Sequence, residues 1–231
     1  MEGVRIRPPT MTPTVTVDEA LKKKCPRTAL ACVFAEVTAG DTSDTLANEL
    51  NLCEQEILRL LEPRAVLESP QILSTRAGYK AFGKDPARYR GSAEALLRRI
   101  IAGKGMPRIN NVVDVINLVS VESRLPVGLY DLAAVSGDVV FRAGRPGETY
   151  KGIGKYALNL ESLPLFADAI GPHGSATSDS ERTMVTTATK HILALIVSFG
   201  GSADLTRWSE RMCELLRLHA SAQNCKFNIV S

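Results

Sequence analysis

The stretch from Gly174 to Thr189, GSATSDSERTMVTTAT, concentrates side chains able to do polar chemistry. Thr177, Ser178, Asp179, Ser180, Glu181, Arg182 and Thr183 follow one another, and Thr186, Thr187 and Thr189 come just before an apolar run. Small hydroxyl groups and an acid–base pair arriving at a strand edge can line a polar pocket and position a water. The same composition suits a solvated loop built from Ser and Thr turns. On the residues alone both readings stay open.

Other catalytic signatures are absent. The chain has no GxSxG elbow, no HExxH and no Walker loop. Gly152-Ile153-Gly154 and Gly103-Lys104-Gly105 lack the strand–loop–helix setting of a phosphate cradle and read as turns. Three histidines leave little material for a metal cage or a His-based triad. His219 falls on the apolar side of the last helix as a packing residue, and His191 starts a strand. His173, in Gly171-Pro172-His173-Gly174, is the one in a setting that favours function, although turn histidines are more often inert. The five cysteines are an odd set, and the closest pair, Cys25 and Cys32, has no CxxC spacing. They read as reduced thiols of a cytoplasmic protein, with no metal and no cofactor expected.

Charge is unevenly distributed. Between Arg76 and Arg108 nine basic residues face two acids, a net +7 in a chain of net +3, which leaves the remainder at −4. Such a segment suits a phosphate-bearing partner; it equally suits a solvated helical face.

These side chains need elements to hold them. With 231 residues, 45% of them hydrophobic, the chain can bury one sizeable core, which excludes a disordered or fibrous class. Strictly apolar runs such as Ile192 to Val197 fall far below the roughly 20 residues of a bilayer span, and Met1–Arg5 is followed by no apolar secretory segment. Residues 1–16, rich in Pro and Thr, read as a flexible arm. A short helix is expected at Val17–Lys24, a buried strand at Thr28–Thr38, and a helix from Ser43 to Leu61 with Leu46, Leu50, Cys53, Ile57 and Leu61 on one face and Pro63 ending it. Pro70 opens a helix closed by Gly83, and Ser92 caps Ala93–Ala102, ended by Gly103, with Arg98 and Arg99 outside its apolar stripe. A helix begins at Asn111 and puts Asp114 and Asn117 on one face. Short strands follow at Val139–Arg142, Tyr156–Leu160 and Pro164–Asp168, and Lys190–Ser198 reads as the central strand. Ser202 caps a final helix, 202–222, carrying Leu205, Trp208, Met212, Leu215 and His219. The order of elements predicts an α+β fold: residues 17–231 as a single mixed α/β domain with a central mixed sheet flanked by helices.

Several segments carry a known pattern in a fixed order: Asp114-Val115-Ile116-Asn117, then Leu125-Pro126-Val127-Gly128-Leu129-Tyr130-Asp131-Leu132, then Val140-Phe141-Arg142-Ala143, then Pro146-Gly147-Glu148. Together they resemble D-x-x-N, P-x-x-x-F-D-L, an arginine-bearing strand and G-E of the editing (B-three/four) domain of the phenylalanyl-tRNA synthetase beta subunit. Ser92–Pro107 and Thr177–Thr189 look like free-standing relatives of that domain. The likeness runs over about residues 70–199. Two departures stand out. Where the family has a histidine two before the aromatic of P-x-x-x-F-D, facing its editing pocket, this chain has Gly128. The family's glycine-rich loop with its discriminating Glu is replaced by Ser178–Thr183, in which Glu181 is the nearest acid.

The resemblance implies a pocket for the aminoacyl end of a tRNA and hydrolysis of the ester when the wrong amino acid, typically tyrosine for phenylalanine, is attached. An aminoacyl ester is already activated, so a positioned water suffices without a protein nucleophile. Thr183, Glu181 and Asp179 are the candidate catalytic residues. Asn117, Glu122, Tyr130, Thr177, Ser178 and Arg182 are the candidate substrate pocket, and Arg88, Arg90, Arg98, Arg99, Lys104 and Arg108 the candidates for tRNA phosphates. Asp114 and Asn117 are expected to orient the Pro126–Asp131 turn, Asp131 to cap the next segment, and Arg142 to pair with Glu148. The leading expectation is an aminoacyl-tRNA deacylase acting in trans, a free-standing ester hydrolase rather than a complete tRNA ligase, with tRNA as partner and neither DNA nor a membrane. Its rivals are a non-catalytic RNA-binding module, which Gly128 favours, and a binding protein for a small amino-acid-like molecule.

Overall fold

A computed structural model describes residues 12–60, 62–154 and 156–231. Residues 1–11 of the expected arm, and Leu61 of the expected helix face, lie outside these. The elements in order are β1 (Val15–Val17), α1 (Glu19–Lys24), β2 (Ala29–Glu36), α2 (Asp44–Leu58), α3 (Pro70–Ala81), α4 (Ser92–Ile101), α5 (Asn111–Ser123), β3 (Val127–Asp131), β4 (Val139–Ala143), β5 (Thr149–Lys151), β6 (Ala157–Asn159), β7 (Pro164–Ala167), β8 (Pro172–Ser175), β9 (His191–Ser198), α6 (Leu205–Ala220) and β10 (Gln223–Val230). The fold is α+β. No helix among the described residues is long and apolar enough to cross a membrane.

The strands divide between two packed sheets and a hairpin of β5 with β6. One sheet, ordered β10-β2-β9-β3, is antiparallel throughout. The other, β1-β4-β7-β8, has β1 parallel to β4 and its remaining pairs antiparallel. Strand alternation assigns each residue of the first sheet to one of two cores. Ala29, Ala31 and Val33 of β2 and Ile192, Ala194 and Ile196 of β9 join the core shared with α2, α4, α5 and α6. Leu30, Cys32, Phe34, Leu193, Leu195 and Val197 join the core shared with the second sheet. With both faces covered, β2 and β9 are buried almost throughout, which is why their sequences are continuously apolar.

Several expectations meet the structure closely. Ser43 caps α2 through Leu46 N–H at 3.3 Å, Gly83 and Gly103 follow α3 and α4 with φ of +71°, and β9 is an inner strand. Others need correction. The arm does not stay loose to residue 16, because Val15–Val17 pairs with β4. The helix α2 stops at Leu58 rather than Leu61, and Pro63 opens a 3-10 turn, Pro63–Glu68. Ser92 is the first residue of α4, not its cap. Its hydroxyl accepts from Val127 N–H at 3.2 Å, and so pins the start of β3 to this helix. Ser202 is replaced as cap by Asp204, three residues into the turn after Gly201.

The strand β10 escaped the sequence reading. It is an edge strand, half-exposed, with Cys225, Phe227 and Ile229 packed inward and Lys226 and Asn228 outward. The cysteines also differ from expectation, since Cys213 of α6 and Cys225 of β10 form a disulfide. Cys25 and Cys32 remain free and buried.

Candidate functional site

Tyr130 organises the best-defined polar cluster. Gly128 and Tyr130, two apart on β3, face the same side and pair with Leu195 and Leu193 of β9. The Tyr130 side chain is completely buried between the two sheets. Its hydroxyl donates to Asp179 Oδ1 at 2.9 Å, and Asp179 Oδ2 accepts from Leu129 N–H at 3.2 Å. Burial, reinforced by the Asp179 charge, pushes the Tyr130 phenol well above its ordinary pKa and keeps it a neutral donor.

Gly128 now has a physical explanation. A Cβ there would overlap the Tyr130 hydroxyl, and so would a Cβ at Gly174 on β8. The phenol therefore lies between two glycines and takes the space a side chain at position 128 would need.

Two further tyrosines bind the same loop. Tyr79 of α3 has its hydroxyl 2.7 Å from Thr177 Oγ1. Tyr150 of β5 donates to the Ser178 carbonyl at 2.5 Å, and Ser175 Oγ donates to that carbonyl at 3.0 Å. Both phenols are raised by burial. His173 stands edge-on to Tyr130, centroids 4.5 Å apart, fully buried, with no hydrogen-bond partner for either ring nitrogen among the described residues. Desolvation pushes its pKa down to about 4, so the ring is neutral. Tyr79, Tyr150 and Ser175 were not foreseen as site residues; only the glycines at 128 and 174 hint in the sequence at something large held between them.

The structure brings some of the expected site residues together and separates others. Asp179, Tyr130, Thr177 and Ser178 share this cluster. Thr183 is buried beside it and donates to the His173 carbonyl at 3.2 Å. Glu181 pairs with Lys151 at 2.9 Å. Arg182 forms a two-pronged pair with the buried Asp168, at 2.9 and 3.0 Å, and also donates to the Ala134 carbonyl at 2.9 Å. Asn117 and Glu122 belong to α5 in the helical layer, on the far side of the first sheet. Glu122 there pairs with Arg211 at 3.3 Å. Asp114 does not orient the Pro126–Asp131 turn; its buried carboxylate accepts from Thr42 Oγ1 at 2.6 Å and Ile109 N–H at 3.0 Å, joining the entries of α2 and α5. Asn117 makes no hydrogen bond to that turn either among the described residues. Asp131 does cap the next turn through Ala133 N–H at 2.9 Å. Arg142 grips Glu148 at 2.7 and 2.8 Å and holds its carboxyl below the usual range.

The basic candidates fall into two groups. Arg88 and Arg90 lie in the loop before α4, whose first amide, Ser92 N–H, donates to the Ala176 carbonyl at 2.7 Å. The chain segment that carries both arginines is thus tied to the residue before Thr177; Arg88 leans on Tyr89 and Arg90 is unpaired among the described residues. The second group gathers at the other end of α4. Arg98 is bound to Glu94 at 2.8 Å, Arg99 donates to the Gly105 carbonyl at 3.2 Å, and Arg108 binds Glu54 at 3.1 Å and Asn51 at 2.9 Å. Lys104 is exposed and free among the described residues.

An α+β domain with two packed sheets, and a hydroxyl-rich loop organised by buried tyrosines, defines a class rather than an activity. Residues 74–213, more than half of the chain, match the family model described as the B3/4 domain, and the chain belongs to that family. Among solved structures it is similar to the crystal structure of an N-terminal fragment of the phenylalanyl-tRNA synthetase beta-subunit from Pyrococcus horikoshii, with a TM-score of 0.50 and 17% identity. That likeness covers 96% of this chain and 51% of the fragment, so this chain spans about half of it, and at such identity the shared property is the fold. No curated protein matches.

Proposed function

We propose that this chain binds the aminoacyl end of a tRNA and hydrolyses the ester of a mischarged aminoacyl-tRNA in trans, with Tyr-tRNA for phenylalanine the first substrate to try. One observation carries the reading: the Ser92–Ala176 hydrogen bond, which joins the segment bearing Arg88 and Arg90 to the start of the Thr177–Asp179 loop. Phosphates on the guanidiniums would bring the 3′ end to hydroxyls and a half-exposed carboxylate. Asp179, oriented by Tyr130 and Leu129, is the group placed to direct a water, and Thr177 and Ser178 supply hydrogen bonds to the substrate. Membership of the B3/4 family and the synthetase-like fold support the same context.

A second reading, a binding module without turnover, has its own support. Thr183 is buried, Glu181 is paired with Lys151, and the Tyr130 hydroxyl occupies the space beside Gly128. A deacylation assay on correctly charged and mischarged aminoacyl-tRNAs at low salt separates the two. Selective loss of one mischarged species, abolished by Asp179→Asn, supports trans editing. Binding that weakens steeply with salt and with Arg88→Ala/Arg90→Ala, without turnover, selects the module. No binding at all removes both.

A further inference from the structure

On the helical layer, across the first sheet from the Tyr130 cluster, α2, the end of α5 and the start of α6 enclose a cavity of about 450 Å³. Its lining is mixed: Ile57 and Leu60 from the α2 side, Val121 from α5 and the indole of Trp208 from α6 form the apolar part, and Glu56, Glu122 and arginines the polar part. Leu60 is 47% exposed, so part of this apolar surface faces water. Three arginines line the same space.

Their charges are not equivalent. Arg211 is neutralised within the fold, by Glu122 at 3.3 Å, Glu49 at 3.4 Å and Glu214 at 3.5 Å. Arg124 and Arg207 have no carboxylate partner among the described residues. Arg124 caps α5 in the left-handed conformation, φ 60°. Arg207 lies over the Trp208 ring at 4.9 Å, which pre-orients its planar guanidinium against an aromatic wall. Glu56, exposed to solvent, is the one acid of the lining with no ion-pair partner among the described residues. Two guanidiniums without a carboxylate partner, lining one cavity with an indole and aliphatic side chains, match a ligand with a flat apolar body and an oxyanion head.

We propose that this cleft binds a small aromatic oxyanion, its ring against Trp208 and Ile57 and its phosphate or carboxylate between Arg124 and Arg207. The site is separate from the Thr177–Asp179 loop and stands whether or not the chain edits tRNA.

Trp208 is the single tryptophan, so its emission reports the cleft directly. The whole chain is titrated with phenyl phosphate and with phenylacetate, the two sources of the oxyanion. Benzyl alcohol, inorganic phosphate and acetate serve as half-ligands. The expected result is a saturable change with one or both aromatic anions below about 1 mM, at least about tenfold tighter than any half-ligand. Which of the two binds tighter assigns the head group. Arg124→Gln and Arg207→Gln should each weaken binding by about fivefold or more, with the melting temperature unchanged. A control, Arg145→Gln at an exposed position between β4 and β5, should leave the titration as it was. Equal binding of benzyl alcohol, no saturable change with either anion, or full affinity in both cleft variants overturns the proposal.

Discussion

The Tyr130 hydroxyl donates to the Asp179 carboxylate at 2.9 Å from a side chain wedged between Gly128 and Gly174, so one phenol ties β3 to β8 and to the loop after it. A buried donor to a carboxylate is costly to remove, because the acceptor is left desolvated. Tyr130→Phe should lose about 1–3 kcal/mol in denaturant unfolding. Gly128→Ala, which forces a methyl into the hydroxyl, should lose a similar amount through overpacking. The two changes relieve one another. The double variant should be more stable than the sum of the single losses implies, and strict additivity in a double-mutant cycle would show that the hydroxyl does not fill that space.

His173 gives a pH dependence with a defined sign. Its folded pKa is about 4 against an ordinary 6.5, so the unfolded chain takes up a proton first as pH falls. This contribution is fully present above pH 6.5 and is lost as pH drops toward 4, with a slope of at most ~1.4 kcal/mol per pH unit. Glu94, Glu148 and Asp168, all held below the usual carboxylate range, act lower on the scale. Unfolding measured between pH 6 and 5 should therefore become flatter in His173→Leu. An unchanged slope would remove His173 from the account.

Glu94 is a buried carboxylate held by two arginines. Burial works to raise its pKa, but hydrogen bonds from Arg76 and Arg98 outweigh that and lower it. Arg76 makes two of these bonds at 3.0 Å and is less exposed than Arg98. Arg76→Ala should cost about 1–3 kcal/mol. Arg98→Ala should cost less than ~1 kcal/mol, because its side chain is 43% exposed and screened. Thermal melts of the two variants at neutral pH check the order.

The Cys213–Cys225 disulfide closes a short loop between α6 and β10, an edge strand only half-buried. Reduction, or Cys213→Ser, should lower stability by about 2–3 kcal/mol. The loosening should appear first as hydrogen exchange in β10. Cys25 and Cys32, buried with thiols shifted upward, should resist alkylation in the folded state.

The α+β class, the helix starting at Pro70, the inner strand β9 and the Ser43 cap were legible because each follows from local pattern: apolar spacing, a capping hydroxyl, a helix-opening proline. The order of motifs from Asp114 to Glu148 pointed to the B3/4 family for the same reason, since it is read along the chain. The Arg142–Glu148 pair is six residues apart and was legible too. What local pattern could not decide is which side of a sheet each segment packs against. Asn117 and Glu122 on one layer and the Tyr130 side chain on the other are close in sequence order but lie on opposite sides of the first sheet. Ser92 and Asp114 were assigned local duties and instead serve partners 35 and 72 residues away. The strand β10 forms because β2 offers it an edge and Cys213 a covalent anchor. Gly128 looked like a missing side chain, and only the folded chain shows that Tyr130, two residues on and facing the same way, fills its place. Sequence periodicity determines the elements and their apolar faces; long-range packing, which brings distant segments into a shared volume that only one side chain can occupy, decides the site.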